Sequence, residues 1–362
     1  MISASWRTLA AIAVMGMAVL PGAQAADPYF KGRTVTLLVG YPPGGGADLS
    51  ARTFAQYFSK HVPGNPTVIV QSMPGASSAI AKNHVFEVAK GDGETLLYGP
   101  WFPAAQLLAM PGIRYRYQDF AMVGMVTVTG YVVYIRTDVA PGGLKSAADL
   151  KNAKDVRFAG GSPFSSFDLL GSITLKLFDV PYRHITGYRG SADYRTAVLK
   201  GEANASSETT DIYRTVLADT MLKPGIATVL WSIPDRAADG RWMRNATLAD
   251  VPNVVERYRE VFGKEPSGPY AELLQLMSGL RGATHLVIGP PSTKAEVLAE
   301  LRKGFDGVIA DPAYRDEYNR RFGSEPQPVT IADAEGAARA LGTVDPQRIA
   351  LLKAHVEAIG KK

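Results

Sequence analysis

Short apolar runs alternate with amphipathic segments along most of the chain. Val35 to Gly40 (VTLLVG) is apolar and β-branched, runs into YPPGGGAD, and predicts a strand. Leu49 to His61 spaces Leu49, Phe54, Tyr57 and Phe58 as a helix would. Thr67 to Val70 (TVIV) predicts a second strand, stopped by Met73-Pro74-Gly75. Ser77 to Ala89 reads as helix and Glu94 to Tyr98 (ETLLY) as a third strand. Strands separated by helices of this length indicate βαβ units and a mostly parallel sheet. Phe120 to Ile135 is too long for one ordinary strand and holds Gly124 and Gly130. Such a stretch suits a chain passing from one domain into another.

A second α/β set follows. Asp155 to Ala159 is a short strand entering GGSPFSSFD, and Leu169 to Phe178 a helix. His184 to Thr186 is a short strand entering GYRGSADY, followed by a helix from Ala192 to Lys200 that Gly201 closes. Ala203 to Ser206 is a thin strand, and Ala227 to Trp231 (ATVLW) is read as the crossing back. The remainder is mostly helical: Val251 to Phe262, Tyr270 to Ser278, Thr293 to Ile309, Pro312 to Phe322, Ile331 to Leu341 and Pro346 to Ile359. One apolar strand, Thr284 to Ile288, interrupts it. There is no internal repeat and no low-complexity tract.

The 362 residues, 46% of them hydrophobic, are more than one ordinary core takes, and about 150 residues per domain makes two domains the expectation. With no cysteine, a disulfide framework and a Cys-ligated zinc site are excluded. The net charge of +5 contains no Lys/Arg run, so it favours an anionic ligand weakly and gives no case for nucleic acid. Arg7 precedes the apolar run Leu9 to Leu20, which Pro-Gly and Ala23-Gln24-Ala25 follow. This is the pattern of a secretory signal peptide over residues 1–25, and the run is short of the ~20 residues that span a bilayer. A soluble, exported protein starting near Ala26 is expected.

Several chemistries lack their residues. Gly44-Gly45-Gly46 is followed by Ala47-Asp48-Leu49 rather than Gly-Lys-Ser/Thr, so it is no P-loop, and it lacks the third glycine of a dinucleotide fingerprint. There is no G-x-S-x-G elbow and no H-E-x-x-H, and the five histidines are scattered. No metal and no cofactor are expected. His184 and His285, each alone on a predicted strand, read as core residues. The glycine run can instead bind an anion. Its backbone permits close approach, and the next helix directs free N–H groups and its positive end at the same point. Asp48 reads as the N-cap, with Arg52 one turn on as its partner. Two similar loops, Gly160 to Ser166 and Gly187 to Ser191 with Arg189, follow later strands. Ligands of open α/β sheets bind at the carboxyl ends of strands, so loops from two domains point to a cleft between them.

VTLLVGYPPGGGADLSAR, VIVQSMPGASSAIA and GDGETLLYGP together resemble the first domain of the tripartite tricarboxylate transporter substrate-binding proteins, the TctC or Bug family. YRGSADYRTAVLKGE continues the likeness. The resemblance covers nearly all of the chain beyond the first 25 residues. It implies an α/β, two-domain periplasmic-binding-protein fold with two chain crossings, domain one comprising residues 27–127 plus 233–362 and domain two 128–232. It further implies a monomer that carries a small organic anion to the permease subunits of a secondary transporter. The family's second-domain loop differs here: Phe164, Ser165 and Asp168 stand where Gly, Thr and His are usual.

The expected site follows from these loops. The amides of Gly44, Gly45 and Gly75, with Ser162, Ser165 and Ser166, hold carboxylate oxygens. Arg189 is the charge partner, and Tyr41, Trp101, Phe102 and Phe164 form walls. Pro43, Asp48, Pro100, Gly161 and Tyr188 complete the set. Aromatic walls favour a ring or an extended apolar body. Two rivals stand beside transport: a ligand sensor without its own permease, and a periplasmic hydrolase using a serine of the second glycine loop.

Overall fold

Two sheets, each at the centre of its own layer of helices, organise the chain. The computed structural model describes residues 27–127, 130–237, 240–280, 285–322 and 325–360. The expected signal peptide lies outside the described residues. In chain order the strands are β1 (Thr34–Val39), β2 (Thr67–Ser72), β3 (Thr95–Pro100), β4 (Ala121–Thr127), β5 (Tyr131–Arg136), β6 (Val156–Ala159), β7 (Tyr182–Ile185), β8 (Ala205–Thr209), β9 (Ala227–Ser232), β10 (Asp235–Arg236), β11 (Trp242–Met243), β12 (His285–Gly289) and β13 (Gln327–Val329). The α-helices are α1 (Gly46–His61), α2 (Ala79–Glu87), α3 (Pro103–Leu107), α4 (Ser166–Leu177), α5 (Ser191–Lys200), α6 (Thr210–Ile212), α7 (Val254–Phe262), α8 (Pro269–Leu280), α9 (Ala295–Ala310), α10 (Pro312–Phe322), α11 (Ile331–Ala340) and α12 (Pro346–Gly360).

The first sheet has the order β13-β4-β12-β3-β1-β2 and the second β7-β6-β8-β5-β9. In the first, β1 is parallel to both β2 and β3, while β12 runs antiparallel to β3 and β4. In the second, β6 is parallel to β7 and β8, and β5 is antiparallel to β8 and β9. The fold is thus mixed α/β on two sheets. The β-rich stretch from 120 to 135 becomes β4 and β5, strands of different sheets, so the chain passes between layers within it. ATVLW is not itself the crossing: it is the edge strand β9, paired with β5, and the chain leaves the second sheet after Ser232.

Local chemistry moves several element ends. α1 begins at Gly46 with Gly45 as N-cap, so Asp48 is a first-turn residue and not the cap. The helix expected from Ser77 opens as a 3₁₀ turn, Ala76–Ser78, and α2 follows from Ala79. Ala76, Ser77 and Ser78 all have positive φ, at 47°, 51° and 74°. This left-handed path is unusual for residues with a Cβ.

The first layer is filled by Leu37, Phe54, Phe58, Tyr98 and Phe305, all buried. The second is filled by Val133, Phe158, Ile173 and Trp231. Packing distributes the C-terminal segment more finely than a boundary at 233. Val254 of α7, Leu273 and Met277 of α8, and Leu352 and Val356 of α12 join the second layer's core. α9, α10 and α11 cover the first sheet through Phe305, Tyr314 and Ala334.

Candidate functional site

Both glycine loops open where strand order reverses. β1 lies between β2 and β3, and β6 between β7 and β8, so the carboxyl ends of β1 and β6 border crevices. A cavity of about 140 Å³ lies there. The first layer lines it with Tyr41, Pro42, Pro43, Gly45, Gly46 and Ala47, with Ser77, with Pro100 at the end of β3 and Phe102 beyond it, and with His285 of β12. The second layer supplies Ser165 and Phe167, Arg189 to Tyr194, Thr209 and Asp211. The layers touch across it: a Cβ on Gly190 would lie 3.8 Å from Pro42 Cδ and 3.9 Å from Tyr41 Cδ1.

At the first loop, Gly44 turns the chain at φ +84°, and its N–H donates to Asp48 Oδ2 at 3.0 Å. Asp48 also binds Arg52, with Nε 3.0 Å from Oδ2 and Nη2 2.9 Å from Oδ1. The expected Asp48–Arg52 pair is present, but it braces the loop from behind the cavity lining, and the Gly44 amide is already engaged. Gly45 lines the cavity with φ −86°, an ordinary extended value. The first-turn N–H groups of α1 have no acceptor within the helix, and the helix dipole makes this end positive.

The second loop is organised around an internal anion. Asp168, fully buried, accepts from Ser162 N–H at 3.1 Å, from Gly161 N–H at 3.4 Å and from the Ser165 hydroxyl. His184 Nε2 lies 2.8 Å from Oδ2, the oxygen that Ser162 N–H also reaches. Ser165 is the N-cap of α4 and accepts from Asp168 N–H. The donors expected to hold a ligand at Gly161 and Ser162 therefore serve a side chain of the protein itself. Gly161, Ser162, Phe164 and Ser166 stand outside the cavity lining, and Ser165 and Phe167 represent this loop there.

Three further expectations are corrected by packing. Trp101 is no pocket wall: its indole N–H donates to Leu280 O at 2.6 Å, and its ring packs 4.3 Å from Tyr117. Gly75 is at φ 141° beside Ile80, and its neighbour Ser77 takes the lining position. Tyr188 packs on Tyr194, which reaches the cavity in its place. Arg189 is at the cavity, but its side chain is 74% exposed and paired with Asp193 at 3.1 Å. Of the candidate set, Tyr41, Pro43, Gly45, Pro100, Phe102, Ser165 and Arg189 meet at one cavity.

Two lining residues carried little signal in sequence. His285 is buried beside Ser50 and Tyr98, with Nδ1 3.3 Å from the Ser50 hydroxyl, and burial lowers its pKa to about 3, so it is neutral. Asp211 follows β8 at the carboxyl end of a strand, the one clue that would have found it. It is buried, its Oδ1 has no hydrogen-bond partner among the described residues, and burial raises its pKa. Glu208 nearby is matched by Arg195 at 2.7 Å. Behind Phe102 lies Lys82, fully buried, its ammonium 5.0 Å from the Phe102 ring centre and 5.4 Å from that of Tyr117. Its Nζ has no hydrogen-bond partner among the described residues, and burial lowers its pKa to about 7. Among the described residues no group of three His, Asp or Glu side chains is placed to hold a metal ion, and no helix is long and apolar enough to cross a membrane.

No family model matches the chain. In sequence it is 27% identical over 303 residues to a UPF0065 protein from the TAR-I ttuE-ttuC' intergenic region of Agrobacterium vitis, covering 81% of this chain and 76% of that protein. In fold it matches the periplasmic binding protein BugD with a TM-score of 0.66 at 21% identity, over 89% of this chain and 97% of that one. It matches Rpa4515 of R. palustris with adipate at TM-score 0.67 and 19% identity, over 91% and 97% of the two chains. MatC from Rhodopseudomonas palustris with bound malate matches at 0.64 and 19%, over 90% and 99%. The two-sheet α/β architecture is that of the two-domain periplasmic binding proteins.

Proposed function

We infer that this chain, built on the fold of the Bug and TctC periplasmic substrate-binding proteins and similar to a UPF0065 protein of that family in sequence, is a periplasmic receptor for a small organic acid. It captures the acid between its two layers and delivers it to the permease of a tripartite tricarboxylate-type transporter. The observation that carries this reading is the convergence of three helix N-termini, those of α1, α4 and α5, from both layers on one cavity. Helix starts offer N–H donors and the positive end of a dipole, which favour a carboxylate. Pro43, Phe102 and Phe167 give the ligand's body an apolar wall. A dry cavity of about 150 Å³ accepts a benzene ring, so 140 Å³ suits a single ring or a short chain.

Binding and closure need no chemistry. A ligand that contacts both layers only when they meet shifts the receptor toward the closed form. The division at residues 127 and 233 describes the two crossings in this scheme, and the receptor acts as a monomer. A hydrolase is disfavoured by geometry: the Ser165 hydroxyl points at Asp168, and His184 binds the opposite side of that carboxylate rather than the serine.

The test is a thermal-shift screen with di- and tricarboxylates, aromatic acids and acidic amino acids. A ligand at 100 times its Kd adds about 2.7 kcal/mol of stability, a clear rise in Tm. Scattering with saturating ligand should show a smaller radius of gyration than without. Absence of any shift across all these classes would sink the reading.

A further inference from the structure

The cavity has N–H donors for an anion, but the cations on its wall are already engaged. Arg189 is paired with Asp193, and His285 is neutral. Arg195, behind Ser191, is held by Glu208 at 2.7 Å. Lys82 of α2 differs. It is fully buried, and its Nζ has no hydrogen-bond partner among the described residues. It stands over three rings, 5.0 Å from the centre of Phe102, 5.4 Å from that of Tyr117 and 5.8 Å from that of Tyr115. Ring faces attract an ammonium, but burial without an opposite charge still disfavours it.

Phe102 connects this ammonium to the ligand space, because it packs against Lys82 and also lines the cavity. Its backbone N–H donates to the Tyr117 hydroxyl at 3.0 Å, which holds it to the same cage. At ordinary contact of about 4 Å, an anion against Phe102 stands about 9 Å from Nζ. Across a dry wall, opposite charges about that far apart attract enough for roughly a tenfold effect on binding. The other groups around Lys82 do not compete. Burial raises the pKa of Tyr115 and Tyr117, so both stay neutral, and so does that of Tyr41 on the first glycine loop. Tyr98 of β3 shares its hydroxyl with Ser50. On α2 itself, Glu87 is paired with Arg114 at 2.7 Å, and His84 is half-buried. Arg116 is paired with Asp119.

We propose that Lys82 is the countercharge of the bound anion, acting through Phe102 as a positioning residue, so that the receptor holds organic anions tightly while Lys82 is protonated and loosely once it is not. This rests on the receptor function proposed above and adds its control by pH. Burial lowers the Lys82 pKa to about 7, so the empty receptor exchanges this proton near neutrality. An anion behind Phe102 favours the charged form and raises that pKa. Binding therefore takes up a proton, and affinity is greatest below about pH 7 and declines above it.

The experiment titrates succinate, citrate, benzoate and aspartate calorimetrically into the full mature chain and into Lys82→Met, at pH 6 and pH 9. Taking the ratio of the two affinities cancels ionisation of the ligand and of other groups. For each acid that binds, wild type should bind about tenfold more tightly than Lys82→Met at pH 6 and within about twofold of it at pH 9. A merely structural lysine gives the same ratio at both pH values. Equal ratios, or no difference at pH 6, would overturn the proposal while leaving the acid-receptor function standing. If the variant fails to fold, the Lys82 Cε resonance of the wild type decides: its titration midpoint should move to higher pH with saturating ligand, and an unmoved midpoint overturns the proposal. Binding of none of the four acids would overturn the receptor reading and this inference with it.

Discussion

His184 Nε2 lies 2.8 Å from Asp168 Oδ2, and both side chains are fully buried. The pair joins β7 to α4 and fixes the second glycine loop, because the same carboxylate gathers Gly161 N–H, Ser162 N–H and the Ser165 hydroxyl. Removing one member of a buried pair leaves the other without compensation, which costs about 3–5 kcal/mol. Asp168→Ala should lose that much in urea unfolding. The double variant Asp168→Ala/His184→Ala should lose less than the two single losses together. A loss under about 1 kcal/mol in Asp168→Ala would mean that the loop does not depend on this carboxylate.

The glycines of the two loops should respond oppositely to alanine. A Cβ on Gly160 would overlap the Asp168 carboxylate and come within 2.7 Å of His184 Nε2, so Gly160→Ala must displace the buried pair. Overpacking of this kind costs about 1–3 kcal/mol. Gly45 has φ −86°, and a Cβ there would meet nothing nearer than Pro42 O at 3.9 Å. Gly45→Ala should melt within about 0.5 kcal/mol of wild type. It should weaken ligand binding, because Gly45 lines the cavity at the start of α1. Thermal melts of both variants, with titration of Gly45→Ala, check this.

Lys82 should make stability depend on alkaline pH. Burial lowers its pKa from 10.5 to about 7. Between these values the unfolded chain holds the proton and the folded chain does not, so stability rises with pH across this window. Below about pH 7 the buried charge is fully destabilising, by a few kcal/mol as an order of magnitude. Lys82→Met should therefore raise Tm clearly at pH 6, and the gain should shrink steadily toward pH 10. A gain independent of pH would show that packing alone is responsible.

On the acid side, His285 and His355 should set the loss of stability. Burial lowers His285 to about 3, and burial with nearby His184 and Lys176 lowers His355 to about 4. Both folded values lie below the ordinary 6.5, so their stabilising contribution is complete above that pH and declines as pH falls toward 4 and 3. Melting temperature should drop between pH 6.5 and 4. His355→Gln should flatten part of the drop, since Ser172, 2.8 Å from Nε2, keeps a polar partner. An equally steep profile in the variant would remove His355 as a contributor.

The alternation of apolar runs and amphipathic segments was enough to mark β1 to β3, α1 and α9 to α12, because burial on one face writes a period into the sequence wherever an element is long. It was enough also for the passage between layers from β4 to β5, since no single strand is that long. The glycine loops were legible as loops, because only glycine meets the backbone so cheaply there. What each loop does was decided by tertiary structure. Whether an amide faces a ligand or a neighbouring carboxylate depends on residues brought together from distant segments, as His184 and Asp168 are at the second loop. For the same reason Trp101 turned to Leu280 rather than to the cavity, and Asp211 and His285, distant in sequence from the glycine run, arrived beside it. Short strands such as β10, β11 and β13 carry too few residues for a period to show, and pairing alone defines them. Local pattern sets which segments become strand or helix; the cavity wall is set by which of their ends meet.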